Sequence, residues 1–205
     1  MKQFNLFLFI FVLALVPQFI IAQRDAARPF NAAILGGINA SQIDGDASAG
    51  YNKLGIGFGL RGIVNFTPKT ALYLELEYEQ RGSRNNIDQE PFKIKTDYIQ
   101  IPVLFAYRDW YIEDDNYYKV EAFAGLIYGR LFKQSGSNFP QVVIDNFRKN
   151  DLCWQLGVGF NATKHVGLNF RYTHSVIPFF SPNDNGLNSN SLIHKYLTFQ
   201  GVYTF

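Results

Sequence analysis

The chain has 205 residues, a length for which one domain is the first expectation. Its one cysteine, Cys153, excludes an internal disulfide and a four-cysteine zinc site, and a net charge of +2 from 19 basic and 17 acidic residues gives no argument for nucleic acid as a partner. Aromatic residues make up 17% of the chain beside a mean hydropathy of −0.07, which implies apolar and polar side chains sorted finely between two environments.

In chain order, Met1-Lys2 places one positive charge ahead of an apolar run from Phe4 to Val16, followed by Pro17 and the small residue Ala22. This predicts a signal peptide over 1–22 and an exported domain over 23–205. An uncleaved helical anchor over Phe4 to Ile21 is the competing reading, against which Pro17 and the polar switch at Gln23-Arg24-Asp25 weigh.

From there the sequence reads at period two. Ala32 to Ala40 is a weak first strand; in the second, Leu54, Ile56, Phe58 and Leu60 alternate with Gly55, Gly57, Gly59 and Arg61. Over Ala71 to Gln80, Leu72, Leu74, Leu76 and Tyr78 share one face, while Tyr73, Glu75, Glu77 and Glu79 share the other. Only a strand separates them so cleanly; on a helix the glutamates would scatter among the leucines. Ile99 to Tyr107 alternates in the same way, Lys119 to Arg130 more weakly. Trp154 to Phe160, Leu168 to Tyr172 and Leu197 to Phe205 complete eight strands.

The connections alternate in length. Segments 41–52, 83–95, 131–149 and 177–192 are long and polar, whereas those near 65–70, 108–117 and 162–165 are shorter. Short turns on one rim and long loops on the other are the signature of an up-and-down transmembrane barrel, with the long loops extracellular. The expected fold is therefore all-β, an eight-stranded antiparallel barrel facing outer-membrane lipid in a Gram-negative bacterium. With this orientation Tyr78, Tyr128, Trp154 and Tyr172 form an outer aromatic belt, and Phe105, Tyr107, Phe160, Tyr203 and Phe205 an inner one. A soluble sandwich or lipocalin-like barrel would need no belts and would not carry so many Glu, Arg and Gly on its core face.

Eight strands leave an interior just wide enough for side chains, so an open porin is not expected. Glu75, Glu77, Glu79 and Glu121 point inward with Arg61, Lys119 and Arg171, predicting a polar plug in which Arg61 pairs across strands with Glu75. No catalytic residue, cofactor or metal site is expected, because His165, His174 and His194 lack ligand spacing. His174-Ser175 invites comparison with lipid A deacylases, which set one residue between His and Ser; here the two are adjacent and alternation sends them to opposite faces. Segment 131–149 carries Phe139, Val142, Val143, Ile144 and Phe147, too apolar for an idle loop, and is the candidate interaction site for an extracellular protein partner.

The order of Gly37-Ile38-Asn39-Ala40-Ser41, Gly57-Phe58-Gly59-Leu60, Glu75 to Gly82, Tyr98-Ile99-Gln100-Ile101-Pro102-Val103-Leu104, Gly157-Val158-Gly159-Phe160 and the ending Gly201-Val202-Tyr203-Thr204-Phe205 resembles the PorT-like outer-membrane beta-barrel proteins. The resemblance implies insertion by the barrel assembly machinery, through a C-terminal strand that ends in Phe205 with an aromatic residue two positions earlier. It also implies no catalytic residues. The family's namesake takes part in type IX secretion, which adds a secretion-complex partner to the expectations. A non-enzymatic envelope or binding role, an accessory secretion subunit and a lipid-modifying enzyme are the readings to separate.

Overall fold

The computed structural model describes residues 29–46, 48, 50–85, 91–182 and 190–205. The signal peptide expected over 1–22 lies outside them, as do parts of three long connections, those expected over 41–52, 83–95 and 177–192.

Alternation of apolar and polar residues produces strands β1 (Phe30–Asp44), β2 (Lys53–Asn65), β3 (Thr70–Asn85), β4 (Phe92–Ile112), β5 (Tyr117–Ser137), β6 (Asn150–Asn161), β7 (Val166–Ser175) and β8 (Ile193–Thr204). One short helix, α1 (Gln141–Asp145), lies between β5 and β6. Each strand pairs antiparallel with its sequence neighbours, and β1 pairs with β8 from Ala33↔Thr204 to Asp44↔Ile193, closing the barrel. Closure removes the open sheet edge that hydrocarbon could not satisfy.

Burial inverts the pattern of a soluble protein. Leu54, Leu60, Leu76, Val103, Phe105, Leu156, Val158, Phe170 and Phe199 are exposed on the outer wall, while Glu75, Glu77, Glu79, Arg81 and Arg171 are buried within. One strand carries an imino acid in mid-sheet, and the ladder records it. The β3–β4 register runs to Leu74↔Val103 and resumes at Glu77↔Gln100, skipping the level where Pro102 has no N–H to give.

The strands are longer than the sequence pattern predicts. β4 and β5 each span 21 residues, about twice the roughly 9–11 that a tilted crossing requires. The connection expected over 131–149 is strand as far as Ser137, and that expected over 83–95 is strand over 83–85 and from 92 onward. The excess runs past both rims. At the upper one the end of β3, the start of β4 and the end of β5 stay paired from Gln80↔Asp97 to Asn85↔Phe92 and from Asp97↔Lys133 to Lys93↔Ser137, a pairing their polar sequence hid. At the lower one β4 and β5 stay paired to Ile112↔Tyr117. A bulge marks the transition: Asp97 pairs with Lys133 and Tyr98 with Leu131, so Phe132 is the extra residue.

Candidate functional site

The inward face is built in layers. At mid-height the alternate residues Glu75, Glu77 and Glu79 of β3 meet two arginines. Arg61 stands opposite Glu75 in the β2–β3 register, and its Nε donates to Glu75 Oε1 at 2.7 Å, the cross-strand pair expected from the sequence. Arg171 reaches over from β7, its Nη1 donating to Glu75 Oε2 at 2.8 Å and to Glu77 Oε1 at 3.2 Å. Gln100 Nε2 donates to Glu77 Oε2 at 2.7 Å, and Asn39 Nδ2 to Glu79 Oε1 at 2.6 Å. Charges enclosed in a barrel this narrow persist because each is met by an opposite charge or an amide dipole.

Below this layer, toward the short turns, lies an apolar floor of Leu35, Ile63, Tyr73, Leu104, Phe123 and Val202. Phe123 pairs with Gly157 across β5–β6 and lies over it; a Cβ at Gly157 would stand 2.2 Å from the ring. Glu121 borders the floor, accepting from Tyr73 Oη at 2.7 Å, with Arg61 Nη1 at 3.8 Å.

Above the glutamates sits a second ionic layer. Arg81 is fully buried, donates to Asp151 Oδ2 at 2.8 Å and to Gln100 Oε1, and lies between the rings of Tyr98 and Tyr196, each centroid 4.4 Å away. Ser175 Oγ and Cys153 Sγ donate to the same Asp151 oxygen at 3.0 and 3.3 Å. The sequence reading missed Arg81 and Asp151, yet continuing the β3 alternation by one step past Glu79 reaches Arg81.

An apolar lid closes the extracellular mouth. Ile43, Ile94, Tyr98, Leu131, Val143, Ile144, Phe147, Phe179, Phe180 and Leu192 form one buried cluster. Phe179 stacks on His194 at 3.9 Å, and Phe147 meets Phe179 edge-on at 4.8 Å. Backbone bonds hold the two lid segments together, Arg148 N donating to Phe179 O at 2.7 Å. This corrects the expected exposed interaction site: Val143, Ile144 and Phe147 are buried in the lid, Phe139 packs against it, and of these five Val142 alone is exposed, at 57%. Their apolarity serves closure, because β4 and β5 carry the loop back over the mouth.

The predicted aromatic residues all stand on the outer wall. Tyr78 stacks with Phe58 at 5.1 Å and Trp154 meets Tyr172 at a tilt, 5.4 Å away, near the extracellular rim; Tyr203 meets Phe205 at 5.5 Å near the other, with Phe105, Tyr107 and Phe160 exposed at the same end and Tyr128 beside Asn150 at the upper one. Lys119 departs from expectation. It stays out of the carboxylate layer, its Nζ lying 5.0 Å from the Trp110 ring and 5.5 Å from that of Phe160 at the short-turn rim. At that rim Lys69 donates to Asp109 at 2.9 Å, a hydrogen bond that holds the Asp109 carboxyl below the usual carboxylate range. Ser175 faces inward to Asp151 while His174 stacks outside on Trp154 at 5.8 Å, so the two stand on opposite faces of the wall. Among the described residues no group of three His, Cys, Asp or Glu could hold a metal ion.

With this geometry in view, the outer membrane protein beta-barrel domain model matches residues 21–181. Among solved structures the chain is similar to Ail, the attachment invasion locus protein of Yersinia pestis, at 14% identity over 87% of this chain and 100% of that one, with a TM-score of 0.48. It is similar to Neisserial surface protein A at 10% identity, 88% and 100% coverage and a TM-score of 0.50, and to OprG of Pseudomonas aeruginosa at 14%, 88% and 98%, with 0.46. At such identities the likeness concerns the fold alone. No curated protein matches the chain.

Proposed function

Because the chain belongs to the outer membrane protein beta-barrel domain family, and is thus an integral barrel of the Gram-negative outer membrane, we propose that it is a sealed, non-enzymatic barrel that acts through its extracellular end, binding a partner there or reinforcing the envelope. One observation carries this reading: the lumen is filled from end to end by floor, two ionic layers and lid, while β4 and β5 raise an ordered platform well beyond the membrane. A filled lumen argues against transport through the wall, and the separation of His174 from Ser175 argues against a lipid-modifying triad.

A photoreactive residue at Val142, introduced in the cells of origin, tests the reading. We expect a discrete crosslinked adduct at the outer surface, or a leakier envelope when the gene is deleted. Finding neither contradicts the proposal, and altered lipid A acylation on deletion would favour the enzyme instead.

A second reading, an accessory subunit of a secretion complex of the type IX kind carried by the PorT-like resemblance, draws on the other rim. The β4–β5 hairpin runs past its neighbours there, exposing Trp110 (60%) and Tyr111 (46%) beside Glu113, Asp114 and Asp115. Exposed rings on a projecting acidic turn suit a periplasmic protein partner. Loss of secreted proteins on Trp110→Ala, with the barrel still assembled, would favour this reading.

A further inference from the structure

The outer wall of β3, β4 and β5 changes character just above the upper aromatic belt. Below the change the outward residues are Tyr78, Ile99, Ile101 and Tyr128. Above it they are Arg84 on β3, Lys93 and Lys95 on β4, and Arg130 and Lys133 on β5. Their inward neighbours Ser83, Ile94, Thr96 and Leu131 are buried, which fixes the direction of the cationic side chains. Register brings them together. Arg84 stands directly opposite Lys93, and Lys133 opposite Asp97, across strands about 4.8 Å apart. From β2, Lys53 Nζ reaches to within 3.4 Å of Gln80 Oε1, and Gln80 is the residue opposite Asp97 on the other side.

Like charges directly opposite each other destabilise a sheet, so an outward wall with this composition needs an explanation. Asp97 is the one carboxylate among these positions. It is 3% exposed, Lys95 Nζ is 3.7 Å from its Oδ2, and its Oδ1 has no hydrogen-bond partner. Lys93 and Lys133 are exposed and enter no ion pair among the described residues. Other rim lysines do otherwise: Lys195 pairs with Asp44 at 2.5 Å and Lys69 with Asp109 at 2.9 Å.

We propose that this wall binds the anionic phosphate headgroup of a phosphorylated glycolipid in the outer leaflet. Position selects a lipid over a soluble polyanion. The cations face sideways rather than crowning the loops, and Phe132, 54% exposed and 6.0 Å from Tyr78, continues the lipid-contacting surface right up to them. A ligand seated here presents phosphate to the Lys and Arg heads while its acyl chains run down the wall over Ile99, Ile101 and Tyr128. Arginine forks suit phosphate oxygens, and lysines act as point charges.

The test uses the full barrel in nanodiscs doped with lipid A carrying its phosphates or stripped of them, with retained lipid read by native mass spectrometry. We expect preferential retention of the phosphorylated form and a loss on the order of 100-fold in the triple variant Lys93→Gln, Lys95→Gln, Lys133→Gln. Lys195→Gln, on the far side of the barrel, should retain it. If the triple variant fails to assemble, the single Lys133→Gln should show a graded loss of about fivefold. Equal retention of both lipids, or no loss in any variant, overturns the proposal. Displacement by millimolar inorganic phosphate without lipid preference would assign a free-anion site instead, and capture of a sulfated polysaccharide by the same lysines without lipid preference would reassign the wall to a glycan. Either result rejects the lipid reading.

Discussion

Arg61 and Glu75 show what holds the lumen shut at the scale of single side chains. Both are almost fully enclosed, and Glu75 is shared between Arg61 and Arg171. Removing one partner strands a charge in a place water reaches poorly, a loss of roughly 3–5 kcal/mol for a buried pair. Arg61→Ala should therefore lower stability in urea unfolding by about 3 kcal/mol in the parent and by clearly less in a Glu75→Ala background. Equal losses in the two backgrounds would show that the contact is incidental. Arg81 provides the parallel case one layer up. Arg81→Met keeps much of the stem between Tyr98 and Tyr196 but leaves Asp151 with only Ser175 and Cys153 as donors. The double variant Arg81→Met, Asp151→Leu should recover most of the loss, because replacing a buried ion pair with apolar groups of similar shape is often close to neutral.

Among the elements, the β4–β5 hairpin and the lid are where the molecule exceeds a minimal crossing. Phe147 lies in the cluster with Phe179 and Phe180, so Phe147→Ala should cost about 3 kcal/mol of lid stability and raise amide exchange over 139–149 and 177–182, with the spanning strands unaffected. Uniform exchange would mean that the lid does not pack as a unit. This also marks the boundary of what the sequence makes legible. The strands that face lipid announce themselves, because hydrocarbon demands an unbroken apolar row at every second position, as in Leu72, Leu74 and Leu76. The same alternation makes Glu75, Glu77 and Glu79 inward residues and sets Arg61 against Glu75. The upper halves of β4 and β5 leave no such trace: with water outside, Lys93, Lys95, Lys133 and Ser135 satisfy a strand as well as a loop. The lid residues are legible as apolar but not as buried, because burial there depends on contacts between segments far apart in sequence, Phe147 with Phe179. Lys119 fails for a related reason: beside Trp110, at a positive φ of 60°, simple alternation no longer says where a long side chain ends.

As a whole, the molecule turns a soluble protein inside out and then seals itself at both ends. Its greasy surface is external, its charges are internal, and two small apolar clusters stop the ends of the polar column. Such a design suits a barrel that works with its outer surface and loops, and it conflicts with passage of solutes through the middle. Planar-bilayer recording of the purified full-length barrel tests this most directly. The parent protein should show no stable conductance, and ion flux should appear only when lid and ionic layers are opened together, as in Phe147→Ala combined with Arg81→Ala and Arg171→Ala. Steady ohmic conductance from the unaltered protein would contradict a sealed lumen.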